Sequence, residues 1–189
     1  MASKPTLSGD RLTLREFFAA DAMDRLALGQ SPEIIRMFGG DPSTVGRLSE
    51  TAIEDWINGL SKHPFAWAIE HAGKWIGEIR LDALDERDRR AKLAIGIYDP
   101  KLLNRRLGRE AITLLLAHAF TAMRLHRVGL RVVGYNARAI RCYSACGFVE
   151  EGREREAAFV DGEWHDDVMM GLLAHEFLSK RGESDGQKS

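Results

Sequence analysis

The stretch that decides the fold runs from Ile95 to Phe120 and reads IGIYDPKLLNRRLGREAITLLLAHAF. Its apolar start predicts a strand, and its leucine-rich end predicts a helix that begins near Gly108. An arginine-rich loop, Asn104 to Arg109, joins the two. The first amide groups of a helix lack partners within the helix, and the helix dipole adds partial positive charge there. This unit therefore predicts an anion site suited to a pyrophosphate.

Length and composition predict one globular domain, which we place at residues 1–180, with a polar tail at residues 181–189. The 189 residues are 44% hydrophobic, which is enough to bury a core. The 27 basic and 28 acidic side chains give a net charge of -1, so no overall field attracts nucleic acid or an anionic membrane. Because the sequence has no long apolar run and no hydrophobic signal core, we expect no membrane partner and a cytoplasmic location.

The cysteine and histidine spacing argues against a metal site. Cys142 and Cys146 are the only cysteines, and the six histidines are scattered. A pair spaced by four residues on a helix can share a metal, but no second pair completes a tetrahedral set. We therefore expect two buried free thiols and no metal.

The N-terminal half alternates short strands and helices. Apolar alternation over residues 7–15 predicts one half-buried strand. Asp21 is the expected cap of a first helix, and Pro32 marks the start of the next element. A loop at residues 39–47 precedes a third helix. The following strands, at residues 65–70 and 74–81, form a predicted hairpin, and residues 82–90 form a charged, solvated turn.

The C-terminal half continues the sheet. After the decisive stretch, residues 128–133 form a nearly continuous apolar strand, as expected for a buried position in a partly parallel sheet. Asn136 begins a helix that ends at Gly147 in a left-handed conformation. Short strands at residues 148–149, 156–160 and 168–173 close the domain, with a hairpin turn at Asp161-Gly162. This order of elements predicts an α+β fold.

Four cations lie within nine residues in the decisive stretch: Lys101, Arg105, Arg106 and Arg109. The neighbouring Gly108 lets the backbone approach a ligand closely. Together they suit a nucleotide-linked pyrophosphate and a further phosphate. A charged loop before an ordinary amphipathic helix explains the same residues without a ligand, so this loop alone leaves both interpretations open.

A second set of residues lies on one face of the next predicted helix. Asn136, Ala139 and Tyr143 fall at positions i, i+3 and i+7. The small residue between two polar ones leaves room for an extended ligand, and the phenol can donate a proton to a leaving group. The alternative is that Asn136 only caps the helix and Tyr143 packs in the core.

The order of these motifs resembles the GNAT superfamily of acetyl-CoA-dependent N-acyltransferases. The pattern Asn136-x-x-Ala139-x-x-x-Tyr143-x-x-x-Gly147-Phe148 follows a strand, a basic glycine loop and a helix. Residues 11–15, 76–79 and 161–173 are similar, more narrowly, to the branch that contains ribosomal-protein N-terminal acetyltransferases. The resemblance extends over residues 7–177.

The resemblance implies a GNAT-like mixed, centrally splayed β-sheet flanked by helices, open between the strand ending near Tyr98 and the strand at residues 128–133. Acetyl-CoA is the implied acyl donor, its pantetheine amides pairing with the backbone near Ile97 and Tyr98. The implied cofactor-binding residues are Ile97, Tyr98, Leu103, Asn104, Arg105, Arg106, Leu107, Gly108, Arg109, Asn136, Ala139 and Tyr143.

The sequence departs from the family pattern in two places. The family loop reads Gln/Arg-x-x-Gly-x-Gly/Ala, and Leu103, Arg106 and Gly108 occupy those positions here. Arg106 therefore stands at a glycine position, where a positive φ disfavours a side chain. Ala94 stands near the place where many members have a glutamate, so the usual general base is not evident.

The expected activity is transfer of an acetyl group from acetyl-CoA to a primary amine by direct attack. The acceptor is either a protein N-terminus or a small-molecule amine, and the protein is a monomer or a homodimer. Tyr143 is the predicted acid for the leaving thiolate, and Glu78 and Asp166 are the two candidates for the base. Structural or solvated carboxylates are the alternative for both. The candidate walls of the acceptor pocket, for which core packing is the alternative, are Phe38, Trp56 and Trp164.

Two other activities stay open at this point. The first keeps the CoA site and changes the other reactants: the acyl donor is a longer one such as succinyl-CoA, or the acceptor is a small amine such as a polyamine or an aminoglycoside. A non-catalytic CoA-binding sensor or interaction module is the alternative from another class, because the strand glutamate is missing.

Overall fold

The computed structural model describes residues 4–46 and 48–186. Within these ranges, six α-helices and eight strands follow one another. In order they are β1 (Leu7–Ser8), β2 (Leu12–Arg15), α1 (Asp21–Leu28), α2 (Pro32–Met37), α3 (Glu50–Lys62), β3 (Ala66–His71), β4 (Lys74–Asp85), β5 (Arg90–Ile97), α4 (Leu107–Thr121), β6 (Arg127–Val133), α5 (Ala137–Cys146), β7 (Val149–Val160), β8 (Glu163–Leu173) and α6 (Ala174–Gly186).

The strands form a single sheet in the order β1-β2-β3-β4-β5-β6-β8-β7. All neighbouring strands are antiparallel except β5 and β6, which are parallel. A parallel pair needs a crossover connection, and α4 supplies it. The mixed sheet with flanking helices confirms the predicted α+β fold.

Helices cover both faces of the sheet, and side chains of β3 point alternately into the core on each face. Trp67 and Ile69 point into the larger core, which also contains the apolar side of α4. Ala66 and Ala68 point the other way, into a smaller core with Ile53 and other residues of α1 and α3. The small alanine side chains allow these helices to approach the sheet closely.

The sheet opens between its two parallel strands. β5 and β6 pair only through Arg90 with Arg127, Ala91 with Val128 and Lys92 with Gly129. Beyond Lys92 the remaining residues of β5 pair with β4 alone, so the edge of β5 that faces β6 has free backbone groups. The splay predicted from the family resemblance is therefore present, and its backbone edge is available to a ligand.

Two predictions for the N-terminal segment are wrong. Residues 7–15 form two short antiparallel strands, joined by a turn in which the amide of Gly9 donates to the carbonyl of Leu12. Asp21 is the first residue of α1 and not its cap, and its carboxylate instead pairs with Arg15 and accepts from the amide of Phe18. The buried carboxylate of Asp21 thus pairs with Arg15, and it does not cap the helix as the sequence pattern predicted.

The hairpin predictions hold, but several lengths differ. Ala72 and Gly73 both have positive φ, as do Asp161 and Gly162, which suits tight turns between antiparallel strands. β4 continues to Asp85, so the charged turn is shorter than predicted. β7 is a single long strand with two irregularities where two short strands were predicted. α6 extends through much of the predicted tail, and residues 187–189 lie outside the described ranges.

Gly77 marks a close backbone approach beside the splay. A Cβ placed on Gly77 would lie 1.9 Å from the carbonyl oxygen of Gly96 on β5, a distance that no side-chain rearrangement relieves. We expect Gly77→Ala to destabilise the protein by about 1–3 kcal/mol, the range for an overpacked interior. The measurement is the free energy of unfolding in urea.

Gly59 is the matched control for this substitution. It lies within α3, and an added Cβ would meet no atom within 4 Å. Gly59→Ala is therefore expected to stabilise the helix by up to about 1 kcal/mol. If both variants changed stability in the same direction, the close contact at Gly77 would not be the cause.

Candidate active site

A cleft of about 1350 Å³ occupies the splay between β5 and β6. Its walls come from the ends of these strands, the loop before α4, the N-terminal turn of α4 and one face of α5. All the cofactor-binding residues predicted from sequence line this cleft, from Ile97 and Tyr98 through residues 103–109 to Asn136, Ala139 and Tyr143. A cleft of this volume is large enough for an extended nucleotide-linked ligand.

The loop before α4 presents backbone amides to the cleft. Asn104 and Arg106 have φ values of 61° and 63°, in the left-handed region. Arg106 occupies the N-cap position, and its side chain makes no cap hydrogen bond to the first amides of α4. Arg105, Arg106 and Arg109 make no ion pair within the described ranges. The N-terminus of α4 therefore combines uncapped amides with cations, which is an arrangement that binds phosphate.

The conformation of Arg106 gives a test of the loop that separates backbone strain from charge. A left-handed conformation costs a non-glycine residue about 1–2 kcal/mol. Replacing Arg106 with glycine would remove this cost, but the greater freedom of glycine in the unfolded chain offsets part of the gain in stability. We expect Arg106→Gly to stabilise the protein by about 0.5–1 kcal/mol, while Arg106→Ala gives no gain. Thermal unfolding measures the stability of both variants. Arg105→Gly is the control: φ is not positive at Arg105, so this substitution should lower the melting temperature.

Asn136 positions α5 against α2. Its side-chain oxygen accepts from the amide of Ala139 at 3.0 Å, and its side-chain amide donates to the carbonyl of Met37 at 2.9 Å. The predicted cap is confirmed, and both ends of the amide are used within the protein. Gly147, with a φ of 104°, ends the helix as predicted.

Tyr143 lies on the same face of α5 and lines the cleft. Its ring packs edge-on against Phe148, with 6.0 Å between the ring centroids. Within the described ranges its hydroxyl makes no hydrogen bond. Burial, together with the nearby Cys142, Cys146 and Glu78, raises the pKa of this phenol above its ordinary value. The phenol therefore stays protonated at neutral pH, as a proton donor must.

Glu78 lies on β4, opposite Gly96, and is 4% exposed. Its Oε1 accepts from the Tyr98 hydroxyl at 3.2 Å and from Arg80 at 3.1 Å, while Oε2 is buried without a partner in the described structure. Burial raises the pKa of this carboxyl, although Arg80 and Tyr98 oppose the shift. A carboxylate whose pKa is raised above its ordinary value is better suited to accept a proton.

Aromatic rings hold Tyr98 against Glu78. The Tyr98 ring stacks on Trp75 at 5.5 Å and meets Phe38 and Trp56 edge-on, each at 5.8 Å. The missing side chain of Gly96 provides the space, because a Cβ there would lie 2.9 Å from the Tyr98 hydroxyl oxygen. Phe38 and Trp56 line the cleft beside Glu78, which is where the sequence placed the acceptor pocket.

Two predicted site residues lie elsewhere. Asp166 does not line the cleft, and its carboxylate accepts from the amide of Glu156 at 3.0 Å. Because side chains alternate along β8, the cleft receives the next residue, Asp167. Trp164 is also outside the lining and packs on Phe159, which does reach the cleft. The predictions for Asp166 and Trp164 had the right strand and the wrong face.

Sequence reasoning missed several charged residues of the cleft. Arg138 and Arg141 line it from α5, one turn apart, a spacing that was visible in the sequence. Asp167 is fully buried, pairs with Arg131 and has an Oδ1 without a partner in the described ranges. Only the register of β6 against β8 brings Arg131 and Asp167 together.

Two other features are absent from the described ranges. No group of three or more His, Cys, Asp or Glu residues there is placed to bind a metal ion. None of the helices in those ranges combines the length and the apolar character needed to cross a bilayer.

Comparison with known proteins identifies the family. Residues 11–149 match the model of the acetyltransferase (GNAT) domain. Spermidine N(1)-acetyltransferase of Vibrio cholerae is 32% identical over 60% of this chain, an alignment that spans 66% of that relative. YdaF of Bacillus subtilis, named as a putative ribosomal N-acetyltransferase, is 29% identical over 76% of this chain and 79% of its own length.

Solved structures show the same fold over nearly the whole chain. The Vibrio cholerae spermidine N-acetyltransferase in complex with CoA and spermine has a TM-score of 0.75 and 28% identity, and covers 90% of this chain and 99% of its own. The family match covers the decisive stretch, the splay and the helix that carries Tyr143. This chain belongs to the GNAT family of acetyltransferases.

Proposed function

We propose that this protein transfers the acetyl group of acetyl-CoA to a primary amine, with the CoA phosphates on the N-terminus of α4 and the acceptor beside Glu78. The observation that carries the proposal is the cleft itself. One end presents uncapped amides and the cations Arg105, Arg106 and Arg109, and the other presents a buried carboxylate. The free edge of β5 between them suits the amides of pantetheine.

The proposed reaction assigns one proton transfer to each of two residues. An ammonium ion has no lone pair, so the acceptor must lose a proton before or during its attack on the thioester. Glu78 receives it through the hydroxyl of Tyr98, which donates to Oε1 and lines the cleft, or through water. Tyr143 then donates its proton to the departing CoA sulfur.

We propose the α-amino group of a polypeptide as the acceptor, in preference to a polyamine. The cleft has three carboxylates: Glu78 and Asp82 share Arg80, and Asp167 pairs with Arg131. A polycation gains less from carboxylates that already form ion pairs with arginines than from unpaired ones. Phe38 and Trp56 offer apolar surface to the first side chain of a peptide.

The test is a thiol-release assay with mass analysis of the product. Short peptides with free N-termini should be acetylated, spermidine should be a poorer substrate, and the same peptides with blocked N-termini should not react. Faster turnover of spermidine would overturn the choice of acceptor while leaving the acetyl transfer intact. CoA binding without turnover of any amine would instead support a binding module.

A further inference from the structure

Arg25, on α1, is a buried cation to which the proposed reaction has given no part. Its side chain belongs to a residue that is 7% exposed, and its Nη1 donates to the carbonyl of Gly29 at 2.6 Å. No carboxylate of residues 4–46 and 48–186 forms an ion pair with it. Burying a charge without a partner costs free energy, so a compensating contact is expected. That contact is made with Tyr98.

The Arg25 guanidinium lies over the ring of Tyr98. Its central carbon is 4.7 Å from the ring centroid, where the negative face of an aromatic ring attracts a cation. Gly29 ends α1 with a φ of 65°, a conformation that favours glycine, and its carbonyl anchors the guanidinium. The end of α1 therefore holds a positive charge against one ring of the cleft.

Tyr98 connects the cleft with Glu78. It lines the cleft, and its hydroxyl donates to Oε1 of Glu78 at 3.2 Å. Burial and the Glu78 carboxylate raise the pKa of this phenol, whereas the charge of Arg25 opposes the shift. A hydroxyl that donates to a base can pass on a proton that it receives from a third group. Its oxygen gains negative charge during the transfer, and a fixed cation close to the ring stabilises that charge.

We propose that Arg25 is a positioning residue for a proton relay through Tyr98, and that this hydroxyl, and not water, carries the proton of the acceptor to Glu78. The proposal rests on the proposed function, in which Glu78 is the base. The Tyr98 proton moves to Oε1 of Glu78, and the phenol oxygen takes a proton from the acceptor ammonium. One O–H bond and one N–H bond break, two O–H bonds form, and the nitrogen keeps the electron pair with which it attacks the thioester. Arg25 touches no substrate in this step.

The other groups around Tyr98 do not supply the same charge. Its ring also contacts three uncharged aromatic rings, those of Phe38, Trp56 and Trp75. They hold the ring in place but have no net charge to oppose that of a phenolate. Arg80 is a second cation near Tyr98, but it is shared between Glu78 and Asp82. The charge of Arg25, in contrast, is directed at Tyr98 alone.

The first experiment compares Arg25→Met and Arg25→Lys with the wild type by thiol release, with a short peptide as the acceptor. Methionine keeps an unbranched side chain without the charge, and we expect kcat to fall about tenfold or more, the scale of a desolvated cation–π contact. Lysine restores a positive charge and should recover part of the lost kcat. Calorimetry should show an unchanged affinity for acetyl-CoA, because Arg25 does not line the cleft.

A double-mutant cycle separates the relay from a structural role of Arg25. Tyr98→Phe keeps the ring, and with it the contact to the guanidinium, but removes the hydroxyl. We expect Tyr98→Phe to lower kcat at least as much as Arg25→Met does. In the Tyr98→Phe background, Arg25→Met should then have no further effect on kcat. Equal losses from Arg25→Met in both backgrounds would overturn the proposal, and so would an unchanged kcat in Tyr98→Phe.

Arg36→Met is the matched control. The Arg36 guanidinium lies 5.6 Å from the ring centroid of Tyr135, and neither residue lines the cleft. This variant should keep the kcat of the wild type, and a loss as large as that of Arg25→Met would contradict a specific role for Arg25. If the wild type releases no thiol with any amine, the proposed function fails and the relay with it. If the wild type is active and the cycle shows no coupling, the relay alone fails.

Discussion

Tyr143→Phe is expected to lower kcat by about 10²–10³, within the range that a positioned proton donor contributes. The substitution keeps the ring, and with it the edge-on contact to Phe148. The lost hydroxyl makes no hydrogen bond in the described structure, so the fold and the affinity for acetyl-CoA should be little changed. Steady-state thiol release gives kcat, and calorimetry gives the affinity.

Tyr135→Phe is the matched control for this prediction. The Tyr135 hydroxyl donates to the carbonyl of Arg36, and this residue does not line the cleft. Its loss should cost about 1 kcal/mol of stability and leave kcat unchanged. Equal losses of turnover and acetyl-CoA affinity in Tyr143→Phe would reject its role as the acid.

The pH dependence adds a second check on Tyr143. Burial raises the pKa of this phenol above the ordinary value of 10.0, so the donor form persists throughout the neutral and mildly alkaline range. The wild-type kcat should therefore show no alkaline decline below about pH 10. A decline centred near pH 8 would point to a different acid.

The sequence predicted the lining of the proposed CoA end better than that of the proposed acceptor end. One loop and one helix face supply nearly all the residues of the proposed CoA end. The loop residues are consecutive, and those of the helix face follow a helical spacing that can be recognised in the sequence. The family match confirms the predicted N-acetyltransferase class and acetyl-CoA as its donor. The left-handed φ of Arg106 also follows from its place at a glycine position of the family loop.

The acceptor end depends on register, which a single sequence does not specify. Asp166 and Asp167 are adjacent, and only the pairing of β8 with β6 decides which one faces the splay. Asp21 shows the same limit at a helix start, because the capping pattern does not reveal that its carboxylate pairs with Arg15 of β2. Contacts that lie outside the local sequence pattern decide both positions.

Glu78→Gln is expected to lower kcat by about 10² or more, because the amide keeps the shape of the side chain but accepts no proton. The carboxylate is buried, close to Tyr98, and on β4, which pairs with the splayed strand β5. Asp166→Asn is the matched control, since Asp166 lies outside the cleft lining, and it should retain turnover. A reversal of these two effects would assign the base to Asp166.

The sign of the pH effect separates the catalytic role of Glu78 from a structural one. Burial raises its pKa above the ordinary 4.5, so folding disfavours the charged form. The wild-type protein should therefore gain stability as pH falls through the folded-state pKa toward 4.5, while its kcat declines over the same interval. Glu78→Gln should lose both dependences together. If Glu78 were only structural, the stability dependence would disappear in the variant while the decline in kcat remained.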